Sequence, residues 1–275
     1  MKQFKDKVVV ITGAGSGMGR AYAMAFGQLG AKLALNDFDA KGLNDTLALL
    51  QAQGRTTVVS QAFDVSNKEA MYAFASHVQQ QLGNAHVIIN NAGIEGSTQP
   101  TWQTDERDYE RIMQINFFGV LYGTKAFLPQ LLANNEGAVV NISSIFGLVG
   151  TPNSSDYCAS KFAVRGFTES LMVELEQSPV SVHLVHPGGI ATHIARKASG
   201  QAFAKRYLKT SPDAIAQHVI RAIGQKKVKI VFGHGALKTW LGATLLPLRW
   251  FNFLAWHELK HTIDLAAYKV LSKRS

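Results

Sequence analysis

The chain has 275 residues, 47% of them hydrophobic, which is too rich for a disordered chain and enough for one large α/β domain. Its single cysteine, Cys158, excludes an internal disulfide framework and fits a reducing compartment. The formal net charge of +9 is uneven: residues 1–195 hold 13 Lys+Arg against 16 Asp+Glu (−3), and residues 196–275 hold 15 against 3 (+12).

The first residues run straight into an apolar strand, without the apolar stretch and cleavage site of a secretory signal, so a cytoplasmic protein is expected. Strands are predicted at 7–11, 32–36, 57–63, 86–90, 138–143, 180–186 and 228–232. Helices are predicted at 18–29, 39–53, 67–82, 105–132, 155–177 and 212–224. Strands that alternate with helices imply right-handed crossovers and a mostly parallel sheet. Apolar runs without alternation, such as Val8-Val9-Val10-Ile11, suit strands covered on both faces. The expected fold is α/β: a doubly wound, Rossmann-type sheet of seven strands in a single domain, residues 1–233. A basic, aromatic, helical extension follows at 234–275. Ligands of such folds sit beyond the carboxyl ends of the strands.

The first strand leads into Thr12-Gly13-Ala14-Gly15-Ser16-Gly17-Met18-Gly19. Glycines let backbone approach a pyrophosphate closely, and the N-terminus of the next helix points free N–H groups at it. Alone, such a run is also an ordinary turn; its place between a strand and a helix favours phosphate. Asp37, roughly 20 residues after the glycines, can accept from both hydroxyls of an adenosine ribose and would repel a 2′-phosphate. The bland reading is a helix N-cap, and the glycine loop upstream favours ribose binding over it. Asn90-Asn91-Ala92-Gly93 closes the fourth strand, a weak signal by itself. Tyr157 and Lys161 lie four apart in a helical pattern and so share a face. A free tyrosine has a pKa of about 10, and a nearby ammonium lowers it. Ser144, after the fifth strand, can hydrogen-bond a substrate oxygen. Read singly, these are a surface pair and a capping serine.

With these motifs in order, the chain resembles the short-chain dehydrogenase/reductase family in its classical form, over roughly residues 5–232. The resemblance rests on Thr12-Gly13-x-x-x-Gly17-x-Gly19, Asp64-Val65, Asn90-Asn91-Ala92-Gly93, Asn116, Ser144, Tyr157-x-x-x-Lys161, and Pro187-Gly188 with Thr192. It implies an NAD-dependent alcohol dehydrogenase or ketone reductase that needs no metal. Gly13, Ser16, Gly17, Met18, Gly19 and Asp37 would bind the cofactor. Asp64 and Val65 would hold the adenine, and Asn91, Ala92 and Gly93 would line the cleft. Pro187, Gly188, Ile190 and Thr192 would position the nicotinamide. Tyr157 would exchange the proton. Lys161 would bind the ribose and tune Tyr157. Asn116, in a local break of the long helix, would hold a water linking Lys161 to solvent. Ser144 would orient the substrate, with Ser143 as runner-up. A homodimer or homotetramer is also implied.

A loop at about 194–210, with Ile194, Phe203 and Tyr207, is expected to cover an apolar substrate of lipid, steroid or terpenoid type. His183 and His186 lie on a strand and read as packing or capping rather than metal ligands. The basic tail raises nucleic acid as a partner, but no zinc spacing or RNA-binding motif accompanies it, so none is expected. An NAD-binding regulatory protein with little turnover is the alternative to the enzyme. Residues 236–256 hold Trp240, Trp250 and Trp256 in an apolar stretch interrupted by Lys238, Pro247 and Arg249. Two readings stay open there: an amphipathic segment on an anionic membrane, or a cover over the pocket or another subunit.

Overall fold

A computed structural model describes Met1 and residues 3–55, 57–192 and 201–271. The strands are β1 (Val8–Thr12), β2 (Lys32–Asp37), β3 (Val58–Ala62), β4 (Val87–Asn90), β5 (Gly137–Ile142), β6 (Val180–Pro187) and β7 (Lys229–Phe232). They form one sheet in the order β3-β2-β1-β4-β5-β6-β7, with every neighbouring pair parallel. The order reverses between β1 and β4, which opens the crevice where such sheets bind ligands.

Strands β1, β4 and β5 are buried at every position, because helices cover both faces. Side chains alternate between the two layers. Val9 and Ile11 face helices α1 (Gly17–Gln28), α2 (Ala40–Ala52) and α8 (Pro212–Gly224), where they join Phe26, Leu50 and Val219. Val8 and Val10 face α3 (Lys68–Leu82), α5 (Gly119–Ala133) and α6 (Ser155–Glu174), with Phe74, Phe127 and Leu171. The Phe74 and Phe127 rings meet edge to face at 6.1 Å. Emptying that contact with Phe127→Ala should cost about 3–5 kcal/mol.

Most predicted boundaries fall within one residue of the observed ones, and capping side chains mark the starts of α3 and α8. Asn67 accepts from Ala70 N at 2.9 Å, and Ser211 accepts from Ala214 N at 3.2 Å ahead of Pro212. The helix expected over 105–132 is α4 (Glu106–Met113), a π turn (Gln114–Phe118) and α5, so the local break implied at Asn116 is present. Apolar periodicity alone runs through the turn, and one prediction changes. The helix expected over 155–177 ends at Glu174.

After α7 (Gln201–Tyr207), α8 and β7, the extension is helical, but in two pieces: α9 (Ala236–Leu245) and α10 (Leu248–Leu259), broken at Leu246 and Pro247. A 3-10 segment, Leu265–Leu271, follows.

Candidate active site

Every motif lies at the carboxyl edge of the sheet. Gly13 and Gly17 have φ of +68° and +51°, in the left-handed region that favours glycine. A Cβ on Gly19 would lie 1.9 Å from Gly13 O, so the loop closes only over glycine. Thr12 Oγ1 accepts from Asn91 N at 3.0 Å and Ala92 N at 3.1 Å. Asn91 Nδ2 donates to Thr12 O at 2.9 Å. These bonds tie the loop after β1 to the loop after β4. Ser16 is exposed at the N-cap of α1 and makes no capping bond; Met18 is half-buried beside it.

The sequence reading missed the brace behind this loop. Arg20 donates through Nε to Thr46 Oγ1 at 2.9 Å, and through its guanidinium to Gly42 O at 3.2 Å and to Gly15 O. Thr46 Oγ1 in turn reaches Ala14 O at 2.9 Å. A cation in the first turn of a helix opposes the dipole, and that was the available signal.

Asp37 ends β2 with both carboxylate oxygens engaged by backbone. Oδ2 accepts from Gly15 N at 2.7 Å and Oδ1 from Asp39 N at 2.8 Å. The N-cap of α2 is Asp39, which accepts from Lys41 N at 3.0 Å, so the capping alternative for Asp37 is corrected. Asp64 Oδ1 accepts from Ser66 N and Ser66 Oγ at 2.9 and 2.7 Å, and Val65 is buried against Gly119.

At the other end of the crevice, Ser144 follows β5 while Tyr157 and Lys161 project from α6. Burial pushes the Tyr157 phenol up to about 12, and a hydrogen bond with the Ser144 hydroxyl pulls the other way, so the lowering expected from Lys161 is corrected: desolvation outweighs it. Burial also pushes the Lys161 ammonium down to about 8. Its Nζ donates to Ile142 O at 3.1 Å and lies 5.7 Å from the Tyr157 ring centre. Ser143 Oγ donates to Lys161 O at 2.9 Å, so that hydroxyl is taken up by structure. Asn116 is buried within the π turn. Its Oδ1 accepts from Ile94 N at 2.8 Å, and its Nδ2 donates to Ile94 O and Ser160 Oγ, each at 3.1 Å. A Cβ on Gly93 would lie 3.1 Å from Asn116 Oδ1 and 3.5 Å from Lys161 Nζ, so the three share one spot.

Two supports beside these residues went unread in the sequence. Asp156, buried in the first turn of α6, accepts from Ser97 N at 2.6 Å and from Tyr157 N at 2.7 Å. An acid at a helix start was the signal, but its reach to Ser97 is tertiary. His186 Nδ1 donates to Ser144 O at 2.7 Å, and burial drives its pKa down to about 4. His183 Nδ1 donates to Lys227 O at 2.7 Å. Both histidines therefore pack and bond within the protein.

Pro187 ends β6, and Gly188 passes against His234, whose carbonyl would lie 2.4 Å from an added Cβ. Ile190 is buried and bridges Thr210. Thr192 comes back to the glycine loop, with Cγ2 3.1 Å from where a Gly17 Cβ would be. Next to Tyr157, Phe146 contacts Phe203 at 5.9 Å, and Phe203 contacts Tyr207 at 4.9 Å. Ile194 lies outside the described residues.

The crevice thus offers close backbone approach where a pyrophosphate would pass, an acid where a ribose would end, and a phenol, an ammonium and a hydroxyl together at the far end. Asn91 Oδ1 is buried there without a hydrogen-bond partner among the described residues. A nicotinamide dinucleotide fits this donor and acceptor set.

Comparisons with known proteins point the same way. The family model described as short chain dehydrogenase matches residues 7–202. A Mycobacterium tuberculosis protein described as oxidoreductase SadH is 43% identical over 245 residues, covering 85% of this chain and 88% of its own. Human epidermal retinol dehydrogenase 2 is 40% identical over 194 residues, covering 70% and 62%. The crystal structure of a short-chain dehydrogenase/reductase from Burkholderia phymatum in complex with NAD superposes with a TM-score of 0.79 at 32% identity, covering 84% of this chain and 90% of that one. The chain belongs to the short-chain dehydrogenase/reductase family of oxidoreductases.

Proposed function

We propose that this oxidoreductase interconverts an apolar secondary alcohol and its ketone with NAD, and that Tyr157 moves the proton. The observation that carries this reading is the meeting of Tyr157, Ser144 and Lys161 at one end of a crevice whose other end holds Asp37. Gly13, Gly17 and Gly19 would take the pyrophosphate at the N-terminus of α1. Asp37 would accept from the adenosine ribose, with Asp64 and Val65 at the adenine. Asn91, Ala92, Gly93, Pro187, Gly188, Ile190 and Thr192 would flank the nicotinamide, which when bound supplies or accepts the hydride.

In ketone reduction the protonated Tyr157 donates to the substrate oxygen, and its raised pKa keeps that proton in place at neutral pH. In oxidation the phenolate takes the hydroxyl proton. Ser144 donates to the same oxygen and stabilises charge developing there. Lys161 would reach the nicotinamide ribose and, while protonated, would favour the phenolate. Asn116 positions the segment around Gly93 through Ile94, and the family resemblance implies that it would also hold a water linking Lys161 to solvent. Asp156 and His186 are positioning residues that hold the Tyr157 and Ser144 backbones.

Phe146, Phe203 and Tyr207 give the substrate an aromatic wall, which supports an apolar alcohol over a sugar. Phe162 and Val173 remain exposed on α6, where a second copy would pack in a dimer or tetramer. Cys158 is buried beside Thr151, as suits a reducing cytoplasm. The test is NAD reduction across steroid, terpenoid and long-chain secondary alcohols, with sugar alcohols as controls. Turnover of the apolar set is expected; exclusive turnover of sugar alcohols, or none at all, overturns the reading.

A further inference from the structure

Of the large apolar side chains that stay exposed among the described residues, eight fall between Leu237 and Leu254, in the hairpin of α9 and α10. Leu237, Leu241 and Leu245 recur every four residues, along one side of α9. Trp250, Phe253 and Leu254, three and four residues apart, share one side of α10. Exposure peaks at the tip, with Leu245 at 73%, Leu248 at 75% and Trp250 at 64%.

The hairpin is built from within. A Cβ on Gly242 would lie 3.0 Å from the Phe251 ring, so the two helices meet there closely. Lys238 Nζ donates to Glu258 Oε2 at 3.3 Å. Across residues 236–260 the cations Lys238, Arg249 and Lys260 stand against one acid, Glu258. Arg249 is exposed at the tip between Leu248 and Trp250.

This combination fits a lipid leaflet better than a second protein. A subunit contact buries a broad side, whereas here exposure is greatest at a turn. Neither helix can cross a bilayer: they have 10 and 12 residues, and no described helix is long and apolar enough to span one. Leucines at a tip enter the acyl boundary, tryptophan settles at headgroup depth, and arginine reaches back to phosphate. The surplus positive charge complements anionic headgroups.

The hairpin also borders the site. The base of α9 packs on the turn Ile145–Gly147 after Ser144, and Ala236 Cβ lies 3.0 Å from where a Gly188 Cβ would be. Trp256 packs on Tyr268 at 5.1 Å. The Tyr268 ring meets Trp102 at 5.2 Å, and its hydroxyl donates to Asn153 Oδ1 at 2.6 Å, just before α6.

We propose that the α9–α10 hairpin docks on an anionic lipid surface through its tip, residues 245–250, and that apolar substrate reaches Tyr157 from that side. The delivery half rests on the proposed substrate class; the docking half does not. The test is flotation of the full chain with phosphatidylglycerol-containing or pure phosphatidylcholine vesicles. The expected result is binding to the anionic vesicles at low salt, weakened by salt, with a blue shift of tryptophan emission. Leu245→Glu with Leu248→Glu should lower the partition coefficient at least about tenfold. It should preserve the melting temperature and the turnover of a short, water-soluble secondary alcohol. Failure of the full chain to bind either vesicle overturns the proposal, as does undiminished binding by the double variant. If the double variant instead lowers the lipid-free mass seen by light scattering, the hairpin joins copies of the chain and lipid docking is wrong. Vesicle binding is read without turnover, so its failure leaves the proposed reaction standing.

Discussion

The carboxyl edge of the sheet and the C-terminal hairpin treat polarity in opposite ways. At the edge, Thr12, Asn116, Asp156 and His186 are buried polar groups held by hydrogen bonds to backbone of neighbouring segments. In the hairpin, leucines and Trp250 are held out in the open. Hydrogen bonds to backbone make buried polar groups tolerable and fix their positions. An exposed apolar tip gains nothing in water and is explained by a partner it meets outside the fold. The edge therefore reads as a preorganised chemical site, and the hairpin as an attachment whose occupant the rest of the chain does not supply.

The sharpest way to break the first half of the comparison is Tyr157→Phe. Turnover should fall at least ~10²-fold, the lower end for general acid–base catalysis, while NAD binding followed by cofactor fluorescence survives. In the unmodified protein, oxidation should speed up as pH rises while reduction stays nearly level up to alkaline pH, because the phenol pushed up to about 12 gives up its proton only with difficulty. Substantial activity in the variant refutes the proton path.

Gly19→Ala comes next. Its Cβ would meet Gly13 O at 1.9 Å, so the glycine loop must shift. NAD affinity should drop at least about tenfold, equivalent to ~1.4 kcal/mol, in a titration. Unchanged affinity would mean that the loop does not form the pyrophosphate site.

Asp37→Ala should narrow the preference for NAD over NADP by roughly tenfold, mostly through KM, on the scale of one charged hydrogen bond. Equal efficiency with both cofactors before mutation would sink the ribose assignment.

The smallest effect concerns His186. Its folded pKa is depressed to about 4, so its contribution to stability is complete above the unfolded value of about 6.5 and is lost as pH falls toward 4. Melting curves of His186→Gln should lose less stability than wild type across that window, by roughly a few degrees. Parallel pH profiles would remove His186 from the acid response.

Much of the site was legible because its residues sit where local rules already speak. Gly13, Gly17 and Gly19 fall between a strand and a helix, and Tyr157 and Lys161 are spaced by one helical turn. The supports were harder to read. Arg20, Asp156 and His186 act on residues 22 to 59 positions away, and nothing in their own neighbourhoods names Gly42, Ser97 or Ser144 as partners. Asp37 shows the boundary well: an acid after β2 was legible, but only the approach of Gly15 distinguished it from Asp39 as a cap.

The chain's apolar runs, caps and glycines determined a parallel α/β sheet with its chemistry at the strand ends, because buried strands and helix starts impose local constraints that composition alone can satisfy. Tertiary structure decided the π form of the break that buries Asn116, the engagement of the Ser143 hydroxyl by the Lys161 carbonyl, and the folding of residues 236–259 into a hairpin. Each depends on which distant group occupies the neighbouring space. A hydroxyl is free or engaged only relative to a carbonyl such as that of Lys161, and a leucine is stranded only once packing has passed it by.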